Sequence, residues 1–405
     1  MGELTGSIVS QVSIGVLTPV VRQVVKDEQA EVSEYTCQPV GGGAELASSI
    51  VRVSGIAKLR DGTCPWSVIL KVVTPSPLLA DTRGVRHWER EALAYESGVL
   101  RDLPGGMSAP ECYGVVRQPD GSVWLWLEDL SDDVFPIWPL AYYGSVARYV
   151  GRFNGAYAVG RELPVGAWVT RGWLAAYVEQ AAQAIAFIRA NPDDPLVRRI
   201  FPGASRTLIL LVWDERERLL ALLERLPQSF CHQDAFRRNL FSQPDGVAAI
   251  DWGYAGVAQL GAELVALVGG SIAFGQLAAN QIRDLDQTAF DAYLEGLSEA
   301  GWHARRRDVR LAYVLSAMLR YVIGGSVGEG FAAMHAGEST PIERGTGRSV
   351  DDQVQDMNEE TAYYTGLFKE ALGLLGIPRV LGMVLRAVGR AVAPGAGATP
   401  ASQGG

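Results

Sequence analysis

The sequence predicts an α+β protein in which a small strand-rich lobe precedes a larger helical one. Three observations carry this. Residues 32–73 read as strand, glycine loop, strand, tight turn and strand. From Pro139 onward the apolar residues recur almost wholly at helical spacing. One short hairpin, within residues 230–256, interrupts that helical half and sets polar residues inside apolar strands. With 405 residues, 48% of them hydrophobic and 20% charged, the chain is long enough to bury two cores.

Residues 1–31 form an N-terminal helical segment in this reading: Ile8, Val12, Val16, Val20 and Val24 follow helical spacing, with Pro19 as a break. Residues 32–130 make the strand-rich lobe. EYTCQPV is followed by Gly41, Gly42 and Gly43, then SSIVRVSGIAKL, an Asp61-Gly62 turn and WSVILKVV. Three glycines let a backbone approach a ligand closely, although glycine loops between strands are more often plain turns. In the last of these strands Ile69, Lys71 and Val73 share a face, which sets an ammonium on an apolar surface where it needs a partner. The helix HWEREALAYESGVL supplies one. Trp88, Ala92, Tyr95 and Val99 form its apolar face, and Glu91 lies nearer the centre of that face than Glu89 or Glu96. Two further strands, ECYGVVRQ and SVWLWLEDL, flank a Pro119-Asp120-Gly121 turn; Trp124 and Trp126 share a face and are assigned to the core. Their acidic exit, residues 127–130, is the expected hinge to the second lobe.

Residues 131–392 form the helical lobe. Helices are expected around Tyr149, Phe153 and Tyr157, over 173–190 and 208–226, and near 261–274, 281–300, 309–323, 351–375 and 379–392. The glycine-rich stretch 324–348 reads as a loop. The tail 393–405, made of Gly, Ala, Pro and Ser, reads as disordered.

The polar residues of the hairpin are His232, Asp234, Asn239 and Asp251, in FCHQDAFRRNLFSQPDGVAAIDWGYAG. The strands around 239–241 and 247–250 are joined by a Pro-Asp-Gly turn, so their open end gathers an amide and a carboxylate beside the loop carrying Asp234. Such oxygen donors suit Mg²⁺, which takes one or two protein carboxylates and leaves its other positions to phosphates and water. Asp234 then remains as a base, the division of labour that phosphoryl transfer requires. Each residue alone also fits a blander role, a satisfied buried pair or a turn cap.

The order His-x-Asp-x4-Asn, then Asp after a short hairpin, parallels the catalytic loop and metal-binding Asp of protein kinases. CHQDAFRRNLF followed by AIDWGYAG resembles more closely the aminoglycoside phosphotransferase and choline kinase-like family of small-molecule kinases, in which Ile-Asp-Trp stands where protein kinases have Asp-Phe-Gly. The spacing from Glu91 to Tyr95 and the segment GRFNGAY at 151–157 are also similar to that family. The resemblance implies a protein-kinase-like two-lobe fold, with ATP and Mg²⁺ as cofactors and a small hydroxyl-bearing molecule as acceptor. It implies Asp234 as the catalytic base, Asn239 and Asp251 as metal ligands, and His232 as a brace of the loop. The nucleotide would be met by Gly41, Gly42, Gly43, Lys71 and Glu91, and by the hinge positions Glu128 and Leu130.

Two departures stand out. Phe236 occupies the position where protein kinases carry Lys and many small-molecule kinases His, and positive charge arrives later, as Arg237 and Arg238. Where the family often continues Gly-Asp-Pro-x-x-Asp, this chain has Ala258 to Glu263, and Glu263 alone keeps an acid. Candidate linings of the acceptor site are Asp132, Asp133, Arg320, Tyr321, Asp352 and Glu360, polar residues beside apolar helices.

Charge and cysteine usage exclude other classes. A net charge of −9 argues against nucleic-acid binding. Cys37, Cys64, Cys112 and Cys231 lack metal-ligand spacing and suit a reducing, cytoplasmic setting. No basic segment precedes the first apolar residues, so no signal peptide is expected, and the weakly charged run 264–282 is broken by glycines and amides, which fits buried helix and not a membrane span. Two other readings stay open: a nucleotide-binding protein without catalysis, and a metal-dependent phosphohydrolase using His232, Asp234 and Asp251.

Overall fold

The computed structural model describes residues 10–40, 48–81, 87–132, 138–303 and 305–376. Alternating apolar residues build a five-stranded antiparallel sheet in the order β1-β2-β3-β6-β5, from β1 (Glu31–Pro39), β2 (Ser48–Leu59), β3 (Gly62–Val73), β5 (Cys112–Arg117) and β6 (Val123–Glu128). The pleat sorts β3 between two cores. Val68, Leu70 and Val72 face the cluster under helix α1 (Ile14–Val25), together with Leu17, Val20, Trp124 and Trp126. Ile69, Lys71 and Val73 face the other way, toward α2 (Arg90–Glu96) and the second lobe. Pro19 lies inside α1 without ending it.

The second lobe is built on α3 (Leu140–Ala158) and a later helix over Ile282–Glu299, which approach closely because glycines face each other. A Cβ on Gly151 would sit 2.3 Å from the Tyr293 carbonyl, and one on Gly296 would sit 2.1 Å from that of Arg148. Two three-stranded sheets lie against this pair. One joins β4 (Met107–Ser108) to the hairpin β9 (Leu240–Gln243) and β10 (Gly246–Ala249); the other joins β7 (Thr170–Arg171), β8 (Gln228–Cys231) and β11 (Gly256–Gln259). The hairpin is antiparallel, with Ala249 opposite Leu240.

Between and after these strands come α4 (Trp173–Glu179), α5 (Ala182–Ala190), α6 (Pro195–Ile200), α7 (Ala204–Leu223), α8 (Glu263–Ala273), α9 (Ile282–Glu299), α10 (Arg306–Ala336), α11 (Pro341–Thr346) and α12 (Val350–Leu374). Two expectations are corrected. The stretch 173–190 is two helices, α4 and α5; no glycine or proline marks the join, and the apolar periodicity runs through it. The glycine-rich stretch after Ile323 is not a loop. α10 continues through wide π-type turns from Met318 to Phe331, because its glycines are contact positions: a Cβ on Gly324 would lie 2.2 Å from the Tyr177 ring, and one on Gly328 3.4 Å from Ala181. α10 ends at Gly337 (φ 73°), and α11 begins where the Thr340 hydroxyl accepts from the Glu343 N–H at 3.0 Å.

α10 is long and apolar enough to cross a membrane by composition, yet 72% of its apolar window is buried inside the lobe, as in a core helix. The helix expected over 379–392, the tail 393–405, Gly41 to Gly43 and Asp133 lie outside the described residues.

Candidate active site

Lys71 reaches from β3 into the space between the lobes. Its Nζ lies 2.5 Å from Glu91 Oε2 and 2.8 Å from Asp251 Oδ1. Glu91 Oε1 accepts the Trp252 N–H at 3.3 Å. Burial pushes the Glu91 carboxyl above its ordinary range, against the opposing pull of the Lys71 ammonium. Its neighbour Arg90 is fully buried, donating to the carbonyls of Trp168 (3.0 Å) and Gly253 (2.7 Å). Two adjacent side chains of α2 therefore hold the segment that follows β10. That segment needs holding, because Asp251 sits in the left-handed region at φ 64°. The Trp252 ring anchors it in the core, stacked on Phe230 and edge-on to His232.

The loop after β8 is fixed in the same manner. His232 Nε2 donates to the Ile250 carbonyl at 2.8 Å, while its Nδ1 accepts the Asp234 N–H at 3.2 Å, which defines a neutral ring with both nitrogens engaged. Burial lowers its pKa, consistent with that state. Gln233 takes φ 67°, supported by Glu263, whose Oε1 accepts the Gln233 N–H at 2.8 Å. Desolvation raises the Glu263 carboxyl to about 7. Asp234 itself is held at both oxygens: Asn239 Nδ2 donates to Oδ2 at 3.0 Å and Arg320 Nη2 to Oδ1 at 2.6 Å.

The two arginines after Phe236 do not reach Asp234. Arg237 pairs with Asp132 and lies over the Trp138 ring, and Asp132 Oδ1 also accepts the Ser242 N–H, so this group fastens the hairpin to the hinge. Arg238 lies over Phe274 at 5.3 Å and lines the cleft.

A cleft of about 600 Å³ opens between the lobes. Lys71, Glu91, Asp234, Asn239 and Asp251 all line it, as do Leu127, Glu128 and Leu130 of the hinge. The Glu128 N–H is already bonded to the Glu111 carbonyl at 2.9 Å. Of the acceptor-site candidates, Arg320, Tyr321 and Glu360 line the cleft. Asp132 and Asp352 do not: the first is spent on Arg237, and the second is an exposed helix cap whose Oδ2 accepts from the Ser349 hydroxyl at 2.7 Å. Trp173, Tyr177, Glu329 and Asp356 complete that side of the wall. Glu360 is raised to about 8, first by desolvation and then by Asp356 one turn away.

Sequence reasoning missed Arg90, the pairing of Arg320 with Asp234, and the seat that Glu263 gives Gln233. The first is a charged residue in a fully buried position, which no pattern marks. The other two join residues far apart in the chain. Glu263 was visible only as the acid left where the family pattern has Asp.

Among the described residues no group of three His, Cys, Asp or Glu side chains could hold a metal ion. A site of the magnesium kind is a different matter. The Asn239 amide donates through its nitrogen to Asp234, and Asn239 and Asp251 both line the cleft, so an amide oxygen and a carboxylate, hard donors of the right chemistry, are present in it.

Residues 126–307 match the model of the phosphotransferase enzyme family, APH. No curated protein matches by sequence. Among solved structures, an amicoumacin kinase, hAmiN, in complex with AMP-PNP, Ca²⁺ and Ami is 14% identical, with a TM-score of 0.50 over 80% of this chain and 88% of that one. Choline kinase from Cryptosporidium parvum Iowa II is 12% identical, with a TM-score of 0.52 over 92% of this chain and 100% of that one. At these identities the likeness is one of fold, the two-lobe α+β fold that the sequence predicts. The matched segment and the shared fold make the chain similar to the phosphotransferase class. Within it, the resemblance to the aminoglycoside phosphotransferase and choline kinase-like family holds.

Proposed function

We propose that the protein is an ATP- and magnesium-dependent kinase that transfers the γ-phosphate to a hydroxyl of a small molecule, one that also carries a cationic group. The observation that carries this reading is the convergence on one cleft of a buried Lys71–Glu91 pair, its half-buried partner Asp251, and an Asp234 carboxylate whose two oxygens are both held.

Lys71 would meet the nucleotide phosphates, with Glu91 keeping the ammonium extended from β3. Leu130 and its hinge neighbours would border the base. Asn239 and Asp251 would hold Mg²⁺, which when bound neutralises phosphate oxygens. Asp234 would accept the acceptor's hydroxyl proton; a carboxylate has about four lone-pair positions, and Asn239 and Arg320 occupy two. Rate would come from positioning and charge neutralisation. Glu360 and Glu329 line the cleft near Tyr177, and the Glu360 carboxylate, once ionised, would be the counter-charge for an ammonium. The amicoumacin kinase bound to AMP-PNP and Ca²⁺ supports nucleotide and divalent-metal use on this fold. Four unbridged cysteines support work in a reducing cytoplasm.

The phosphohydrolase reading loses support, because both His232 nitrogens are bonded within the protein. The test is ATP consumption with ³¹P identification of products across aminoglycosides, macrolides, choline, ethanolamine and sugars, with Asp234→Ala as control. The variant should lose about a hundredfold or more in kcat while keeping Mg-ATP binding. Equal turnover in Asp234→Ala would remove this residue from the mechanism. Binding of Mg-ATP with no product from any acceptor would favour the non-catalytic nucleotide binder.

A further inference from the structure

The catalytic loop brings no cation of its own to Asp234. Phe236 is turned into the wall, stacked on Phe274, where Gly270 is packed so closely that a Cβ there would lie 2.9 Å from Phe236 Cβ. Arg237 and Arg238 are directed to Asp132 and Phe274. Among the described residues, the ion-pair partner of Asp234 is Arg320, which comes from α10 and a distant part of the chain.

The geometry of that pair is specific. Nη2 bonds Asp234 Oδ1 at 2.6 Å, and Nη1 bonds the carbonyl of Gln233, the residue held at φ 67°. One guanidinium thus fixes both the carboxylate and the strained peptide before it, a two-point grip that a lysine ammonium reproduces poorly. The guanidinium is itself packed over the rings of Trp173 and Tyr321, at 5.2 and 5.6 Å. Arg320 stands near the start of the π-type stretch of α10.

We propose that Arg320 is a positioning residue for phosphoryl transfer, acting through Asp234 and supplying from α10 the charge that the catalytic loop lacks at position 236. This rests on the kinase reading above. The arrangement leaves Asp234 held from opposite sides, by Asn239 at Oδ2 and by Arg320 at Oδ1, with its orientation set before an acceptor arrives.

The test compares wild type, Arg320→Lys and Arg320→Met with Mg-ATP and the acceptor found in the panel, or with water as acceptor where basal hydrolysis is measurable. Arg320→Met should lose about a hundredfold in kcat, the scale of a misplaced catalytic group, while KM for ATP and the thermal melt with Mg-ATP stay close to wild type. Arg320→Lys should retain intermediate kcat. Millimolar guanidinium ion should restore part of the Arg320→Met turnover and leave wild type unaffected. Unchanged kcat in Arg320→Met overturns the proposal. So does a parallel loss of kcat and Mg-ATP binding without guanidinium rescue, which would make Arg320 a structural residue. A wild type that neither binds nor consumes ATP fails differently: it removes the kinase reading, and this inference with it.

Discussion

Lys71 Nζ lies 2.8 Å from Asp251 Oδ1, an ion pair that joins β3 of the small lobe to the end of the β9–β10 hairpin in the large one. Glu91 closes the triangle at 2.5 Å. Replacing Lys71 by Met removes the cation from two carboxylates, one of them almost fully buried, so Glu91 should take up a proton and the Lys71–Asp251 link between the lobes is lost. Lys71→Met should therefore lose about a hundredfold in kcat/KM for ATP, and Glu91→Gln less, since Asp251 still holds the ammonium. Nucleotide titration and initial rates check this; a Lys71→Met protein with wild-type ATP affinity would break the assignment.

Strand β8, which leads into the Asp234 loop, hangs from α3. Asn154 Nδ2 donates to the Phe230 carbonyl at 2.9 Å, and the Tyr293 hydroxyl donates to Asn154 Oδ1 at 2.8 Å. Gly151, one turn before Asn154, meets backbone: an added Cβ would sit 2.3 Å from the Tyr293 carbonyl and 3.1 Å from Gly296 Cα. Backbone cannot yield cheaply, so α3 and α9 would have to part. Gly151→Ala should cost about 1–3 kcal/mol in urea unfolding and should depress turnover as well. Gly373→Ala on α12 is the control. Nothing lies within 4 Å of its Cβ, and it should gain about 0.5–1 kcal/mol from helix propensity.

What the sequence made legible follows from local chemistry. The spacing of His232, Asp234, Asn239 and Asp251 lies within one loop and hairpin, and the structure brings these four residues together with Lys71 and Glu91. Period-two alternation in β3 marked Lys71, and the face of α2 marked Glu91. The illegible parts are those where glycine has two meanings. In 324–330 it reads as a loop, yet here it makes room for Tyr177 inside a widened helix. The contact of Arg320 with Asp234 joins residues 86 apart in sequence, and no short-range pattern carries such a pair.

Glu263 gives a pH dependence with a definite sign. It is buried, and desolvation raises it from 4.5 to about 7, the bond from the Gln233 N–H opposing. A carboxyl raised on folding favours the native state when protonated. Its contribution is fully present below pH 4.5 and is lost as pH rises through about 7. The gap corresponds to on the order of 3 kcal/mol. Glu263→Gln keeps an acceptor for Gln233 but carries no charge. Urea unfolding at pH 5 and pH 8 should then show the variant gaining on wild type as pH rises. Parallel pH profiles for the two proteins would contradict this account of the Glu263 seat.

Glu360 extends the argument to the acceptor. It lines the cleft from α12, raised to about 8 by desolvation and by Asp356, whose own charge is partnered by Arg348 at 2.6 Å. On the proposed reading an acceptor ammonium would bind the ionised carboxylate, so binding should draw a proton off Glu360 at neutral pH. By linkage, acceptor affinity should rise roughly tenfold between pH 7 and 9 for an amine that stays protonated over that range. Calorimetry in buffers of different ionisation enthalpy should show proton release near pH 7. Glu360→Gln should flatten the pH dependence and raise KM for the acceptor, with KM for ATP unchanged. If the variant keeps both the acceptor affinity and its pH slope, the cationic group is read elsewhere in the cleft, and Glu329 or Asp356 becomes the residue to replace.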